Sequence, residues 1–247
     1  MAFIAKQYKH FPHNLPVEKG ALFFNHQYLP TSTLAGDFFT IFPISDHEVG
    51  IFICDVMGHG ARASLLTAYI RGLIEEIMPV AADSSAFIKK LNIGINAIMA
   101  QFYSGIYATA FYLVADINSG NVHYTNAGHP SPFVLKPGKG VVDDLKCNGK
   151  ESEPALGMIK DYNYTAFESE MTGGDTVFLY TDGMFEVMNK DGDLFGKERL
   201  SSLLSEQFST APEELIDKAL QGVHDFSGSD EFSDDVCLVT MHVKRLE

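Results

Sequence analysis

Acids fall where apolar strands meet turns. Asp55 closes the run Val49-Gly50-Ile51-Phe52-Ile53-Cys54, and Asp182 closes Val177-Phe178-Leu179-Tyr180-Thr181. Asp37 stands just before Phe38-Phe39-Thr40-Ile41-Phe42, and Asp234 and Asp235 open the last apolar run, Val236–Val243. A carboxylate at the lip of a buried strand is costly unless it is paired, hydrogen-bonded or bound to a cation. None of these acids has a lysine or arginine close by in sequence. One such Asp carries little weight, because turns are rich in Asp; four separate strand ends carry more. If they converge, their mutual repulsion calls for cations. All-oxygen donors suit Mg²⁺ or Mn²⁺ rather than zinc. Two such ions sharing one Asp and activating a water between them form a hydrolytic arrangement.

The stretch Cys54-Asp-Val-Met-Gly-His-Gly-Ala-Arg-Ala-Ser64 carries the acid into a glycine turn and then a helix. Gly58 and Gly60 suit a tight turn. His59 reads first as a capping or packing residue and second as a proton donor to a leaving group. His129, between Gly128 and Pro130, reads as structural.

The elements that must position these acids follow from periodicity. Strand patterns cover 21–29, 37–45, 48–56, 107–117, 121–128, 132–137, 174–182 and 234–244. Asn118-Ser119-Gly120 marks a hairpin between the fourth and fifth of these. Between the third and fourth, Leu65, Leu66, Tyr69, Ile70, Leu73, Ile74, Ile77 and Met78 recur at helical spacing until Pro79. A second helix is predicted over 84–102 with Asp83 or Ser84 as its cap. Thr210-Ala-Pro-Glu213 reads as a capping box opening a helix over 213–223. Hairpins rather than βαβ alternation predict an α+β sandwich, antiparallel sheets with helices outside.

Composition bounds the rest. The chain has 247 residues, 46% hydrophobic and 20% charged, enough apolar material for a sizeable core. Its net charge of −14 argues against nucleic acid or an anionic membrane as partner. Cys54, Cys147 and Cys237 are scattered, so no disulfide framework or zinc site is expected, and a reducing cytoplasm is the expected compartment. No apolar stretch reaches the roughly 18 residues that span a bilayer, and the N-terminus lacks a signal-peptide pattern. Residues 1–20 read as a lead-in or connector and residues 21–247 as one domain.

Five motifs in order carry a family resemblance: AGDFFTIF, CDVMGHGARASLL, ATAFYLVADINSGNVHYTNAGHPSPFVL, GDTVFLYTDGMFEVMN and SDDVCLV. Together they resemble the type 2C, metal-dependent (PPM) serine/threonine protein phosphatases, over roughly Leu22 to Val243. More narrowly they are similar to the bacterial branch of sporulation and stress-response sigma-factor regulators. The resemblance implies a four-layer α-β-β-α sandwich, two packed antiparallel sheets flanked by helical pairs. It implies two divalent ions, Mn²⁺ or Mg²⁺, and a metal-bound water attacking phosphoserine or phosphothreonine without a phosphoenzyme. By the same resemblance Asp55 bridges both ions, the Val56 carbonyl ligates one, Asp37 serves the second, and Asp182 and Asp234 complete the first. The DD-x-[ST] pattern favours Asp234 over Asp235.

Two positions depart from the family pattern. Thr40 stands where a second acid is common, which implies altered metal affinity at most, and Cys237 stands where Ser or Thr is common and reads as a small core residue. The implied substrate is a phosphorylated anti-anti-sigma factor. An upstream sensor or receiver domain and a homodimer are both compatible with this branch. The rival readings are a non-catalytic metal- or phosphoprotein-binding module of the same fold, and a nucleotide cyclase. The cyclase would need a second acid after Asp37, where the chain has Phe38-Phe39.

Overall fold

The structure, a computed structural model, describes residues 21–31, 35–58, 60–102, 105–147 and 152–244. The connector expected over 1–20, and His59, lie outside the described residues. In chain order the elements are β1 (Leu22–Leu29), β2 (Phe38–Pro43), β3 (Glu48–Val56), α1 (Ala61–Ile77) and α2 (Ser84–Phe102). Then come β4 (Ala108–Asp116), β5 (Asn121–Ala127), β6 (Phe133–Lys136), β7 (Val141–Asp144), β8 (Phe167–Glu170) and β9 (Thr176–Tyr180). The helices α3 (Gly196–Ser205) and α4 (Leu215–Ser227) precede the final strand, β10 (Val236–Val243). Short 3₁₀ turns cover Met78–Val80 and Asp182–Met184.

The strands make two antiparallel five-stranded sheets, ordered β1-β10-β9-β6-β7 and β2-β3-β4-β5-β8. Side-chain alternation explains why β3 is apolar on both faces. Val49, Ile51 and Ile53 enter the layer between the sheets with Phe111, Leu113, Leu179, Val239 and Met241. Phe52, Cys54 and Val56 face the other way, against Leu66, Ile70, Ile74, Phe87 and Leu91 of α1 and α2. A third layer packs Phe178, Tyr180 and Leu238 against Leu200, Leu204, Ile216 and Val223 of α3 and α4. Three apolar layers between two sheets and two helix pairs make the four-layer sandwich that the sequence predicts. Fully burying one Phe or Ile stabilises by about 1.5–3 kcal/mol, so β3, packed on both faces, is a rigid base for the acid at its end.

Local signals fare unevenly. The Asn118-Ser119-Gly120 hairpin forms, with Asp116 Oδ1 accepting from the Asn118 and Ser119 amides at 2.8 and 3.2 Å. Asp83 rather than Ser84 caps α2, accepting from the Ser85 and Ala86 amides at 3.0 Å. The Thr210–Glu213 capping box does not form. The Thr210 hydroxyl donates to Gln207 at 2.8 Å, and α4 starts at Leu215 with no side-chain cap. A proline at 212 suits the turn that precedes the helix instead. Sequence periodicity leaves α3, β7 and β8 unassigned. Each is short, and β7 and β8 alternate exposed with half-buried residues, so they carry little apolar signal.

Candidate active site

Register brings the acids together. In the pairing of β2 with β3, Phe38 lies opposite Cys54, and one residue further on come Asp37 and Asp55. In the pairing of β9 with β10, Tyr180 lies opposite Leu238, and the chain then continues to Asp182 and back to Asp234 and Asp235. Ile53 of the first pair and Leu179 of the second share the inter-sheet layer, so both pairs of strand ends open at one end of it. Burial and the neighbouring charges of Asp182, Asp234 and Asp235 push the Asp55 carboxyl up to about 7. Burial and the charges of Asp55 and Asp235 hold Asp37 well above the ordinary carboxylate range. Asp182 rises to about 6 through burial, Glu186 and Asp234. Asp55 therefore interacts with each of the other four acids singled out in the sequence.

Among the described residues no three His, Cys, Asp or Glu side chains are gathered closely enough to hold a metal ion as they stand. Whether the cluster suits a cation is answered by its chemistry. Asp37 is 5% exposed, and its Oδ2 is buried without a hydrogen-bond partner. A buried, orphaned carboxylate oxygen among other carboxylates is an acceptor waiting for positive charge. The donors are all oxygen, the set that hard divalent cations take. That oxygen-only chemistry is of the kind that Mg²⁺ or Mn²⁺ takes.

The last acids differ sharply. Asp234 is exposed, and its Oδ1 accepts from the Asp235 amide at 2.7 Å. Asp235 is 6% exposed, and both its oxygens are committed to the chain. Its Oδ1 accepts from the Thr31 amide and hydroxyl at 2.8 and 2.9 Å, and its Oδ2 from the Gly36 amide at 3.1 Å.

Two glycines shape the site by lacking a side chain. A Cβ at Gly36 would stand 2.6 Å from the Val56 carbonyl oxygen, and one at Gly183 would collide with the Asp235 carbonyl. Gly58 and Gly60 are different. Nothing lies within 4 Å of a Cβ there, but their φ values of 87° and 83° are left-handed, so conformation rather than crowding calls for glycine. The helix that follows reaches back to the Asp37 segment, the Ser64 hydroxyl donating to Ala35 O at 3.3 Å and Thr67 to Gly36 O at 3.1 Å.

His129 is set back in the interior, 2% exposed, with Nδ1 2.9 Å from the Thr109 hydroxyl. Asn126 holds its backbone on both sides, accepting from the His129 amide at 2.8 Å and donating to its carbonyl at 2.9 Å. Burial pushes its imidazole down to about 3, so it is neutral at physiological pH and shapes the turn. Cys237 is fully buried in the inter-sheet layer, a small core residue, and Thr40 is half-buried in β2 opposite Phe52. Sequence reasoning misses Gly36 and the clamp on Asp235; only Gly-Asp spacing hints at the first, and nothing local signals the second.

Comparison with known proteins places this geometry. The family model described as Stage II sporulation protein E (SpoIIE) matches residues 45–244. Phosphoserine phosphatase RsbP of Bacillus subtilis is 27% identical over 230 residues, which cover 93% of this chain and 54% of RsbP. The chain spans only 37% to 59% of the lengths of the first three curated relatives it matches. Among solved structures, the SiaA-PP2C domain of Pseudomonas aeruginosa superposes with a TM-score of 0.76 at 19% identity, covering 92% of this chain and 90% of that one. The catalytic domain of the serine/threonine protein phosphatase PstP, in complex with two manganese ions, superposes with a TM-score of 0.59 at 16% identity, covering 92% and 99%. These likenesses are to the fold.

Proposed function

The chain belongs to the SpoIIE family, and from that premise we propose that it is a divalent-cation-dependent phosphatase acting on phosphoserine or phosphothreonine in a protein. The observation that carries the reading is the convergence of Asp37, Asp55, Asp182 and Asp234 at one end of the inter-sheet layer, with the Asp37 Oδ2 buried and unpartnered. Asp55 sits between the two groups of acids and is the side chain best placed to be shared by two cations. Asp37 would serve one side of it, Asp182 and Asp234 the other, and the Val56 carbonyl, close to Gly36, would add a backbone oxygen. Bound divalent cations supply the positive charge that a phosphate needs here and lower the pKa of water. The protein's own part is to hold the oxygens in place on rigid strand ends and to keep the acids ionised when cations are present. An acidic site alone would repel a phosphomonoester, so cation dependence is part of the reading.

Within this family, the motif set's similarity to the sporulation and stress-response branch supports a phosphorylated anti-anti-sigma factor as the substrate. The relative named phosphoserine phosphatase RsbP supports the phosphoserine class. The two-manganese PstP structure supports two ions of Mn²⁺ or Mg²⁺. The deciding assay is release of phosphate from p-nitrophenyl phosphate or a phosphoserine peptide. Wild type is expected to need Mn²⁺, and Asp55→Ala to lose at least about 100-fold in rate, the order of a lost electrostatic group in an active site. A wild type inert in millimolar Mn²⁺ would favour the non-catalytic binding module. Equal rates in the mutant would remove Asp55 from the site.

A further inference from the structure

We propose that Asp235 is a positioning residue and not a cation ligand: its carboxylate ties Thr31 and Gly36 onto the start of β10. Adjacent acids thus divide the work, Asp234 facing outward to the cations and Asp235 inward to the backbone.

Three bonds carry this. They join residues 199 to 204 positions apart, and they use both oxygens of a carboxylate that is 6% exposed. A carboxylate already accepting from two amides and a hydroxyl has about three of its four in-plane lone-pair sites engaged, which leaves little for a metal. The donors also matter. Gly36 is the residue before Asp37 and the residue against the Val56 carbonyl, so its amide is the point from which both are located. Thr31 anchors the other side of the same segment. Asp235 also adds its own negative charge to the fields on Asp37 and Asp55. A spectator acid there would only worsen the repulsion, whereas a clamp accounts for its presence.

The inference rests on the cation reading only for what the clamp serves; the clamp itself is testable in chelator, without turnover. Amide exchange resolved by NMR is measured in EDTA for wild type, Asp234→Asn and Asp235→Asn. In Asp235→Asn one donor now meets an amide NH₂, so protection at Thr31 and Gly36 is expected to fall at least about tenfold. Asp234→Asn is expected to leave both amides protected and instead to weaken Mn²⁺ binding in calorimetry. Unchanged protection at Thr31 and Gly36 in Asp235→Asn would overturn the proposal, as would equal loosening in Asp234→Asn. If Asp235→Asn does not fold, Thr31→Val decides, because it removes one bond and keeps the carboxylate. Faster exchange at Gly36 in that variant supports the clamp, and unchanged exchange overturns it. A chain that proves inactive as a phosphatase would leave these exchange results as they are.

Discussion

Gly36 lies so close over the end of β3 that a Cβ on it would stand 2.6 Å from the Val56 carbonyl oxygen. The contact joins the residue before Asp37 to the strand bearing Asp55. Overpacking of this kind costs about 1–3 kcal/mol. Gly36→Ala is therefore expected to weaken Mn²⁺ binding by tenfold or more, about 1.4 kcal/mol, with a matching loss of phosphatase activity. Calorimetric titration measures it, and wild-type affinity in the variant would mean that the contact does not matter to the site.

The acids make a pH prediction for the protein in chelator. Asp55 and Asp182 rise in the folded state to about 7 and about 6, and Asp37 is held well above its ordinary value. A raised carboxylate binds protons more tightly folded than unfolded, so its contribution is full below about pH 4 and is lost as pH rises through the folded value. Metal-free stability is thus expected to fall between about pH 4 and 7, with Asp55→Asn flattening the decline. Mn²⁺ should raise Tm more at pH 8 than at pH 5. Thermal melts in EDTA and in Mn²⁺ test both, and a metal-free Tm that climbs across this range in step with Asp55→Asn would refute the coupling.

Gly183 makes room for Asp235 behind the turn that carries Asp182. Its added Cβ would meet a backbone carbonyl, which cannot swing aside as a side chain could. Gly183→Ala should lower stability by about 1–3 kcal/mol, or roughly 2–4 °C in Tm per kcal/mol at this size. It should also cut activity more than Gly58→Ala, whose cost is conformational and whose Cβ would meet nothing. Comparing the two by melting and by phosphate release separates crowding from strain; the reverse ranking in activity would be the contrary result.

Asp83 provides a control remote in role from the chemistry. Hydrogen bonds from the Ala86 amide and from Ser85 hold its carboxyl below the ordinary value. Its contribution is present above the unfolded carboxylate's range and lost as pH falls. Asp83→Ala should cost about 1 kcal/mol of stability near neutral pH and less in acid, with cation-dependent activity unchanged. A large loss of activity would mean that the start of α2 is coupled to the acids.

The acid cluster is legible in the sequence because each of its acids flanks an apolar strand, and the unbroken apolar run of β3 announces a strand buried on both faces. The hairpin at 118–120 and the helices α1 and α2 are local structures whose turn residues or apolar spacing lie within the segment, with Asp83 capping α2. The capping box at 210–213 shows the limit, since Gln207 offers the Thr210 hydroxyl a nearer partner and the helix begins later. Short, half-exposed β7 and β8 bury too little to mark the sequence.

Sequence alone singled out the acids at the strand ends and predicted antiparallel sheets with helices outside them. Which neighbour of the pair Asp234 and Asp235 faces outward was decided only in three dimensions. So were the closeness of Gly36 to Val56 and the place of Asp37 beside Asp55 at one end of the sandwich. The physical reason is sequence distance: Thr31, Gly36, Val56, Gly183 and Asp235 meet through register and layer packing, and no local pattern encodes a contact across some 200 residues.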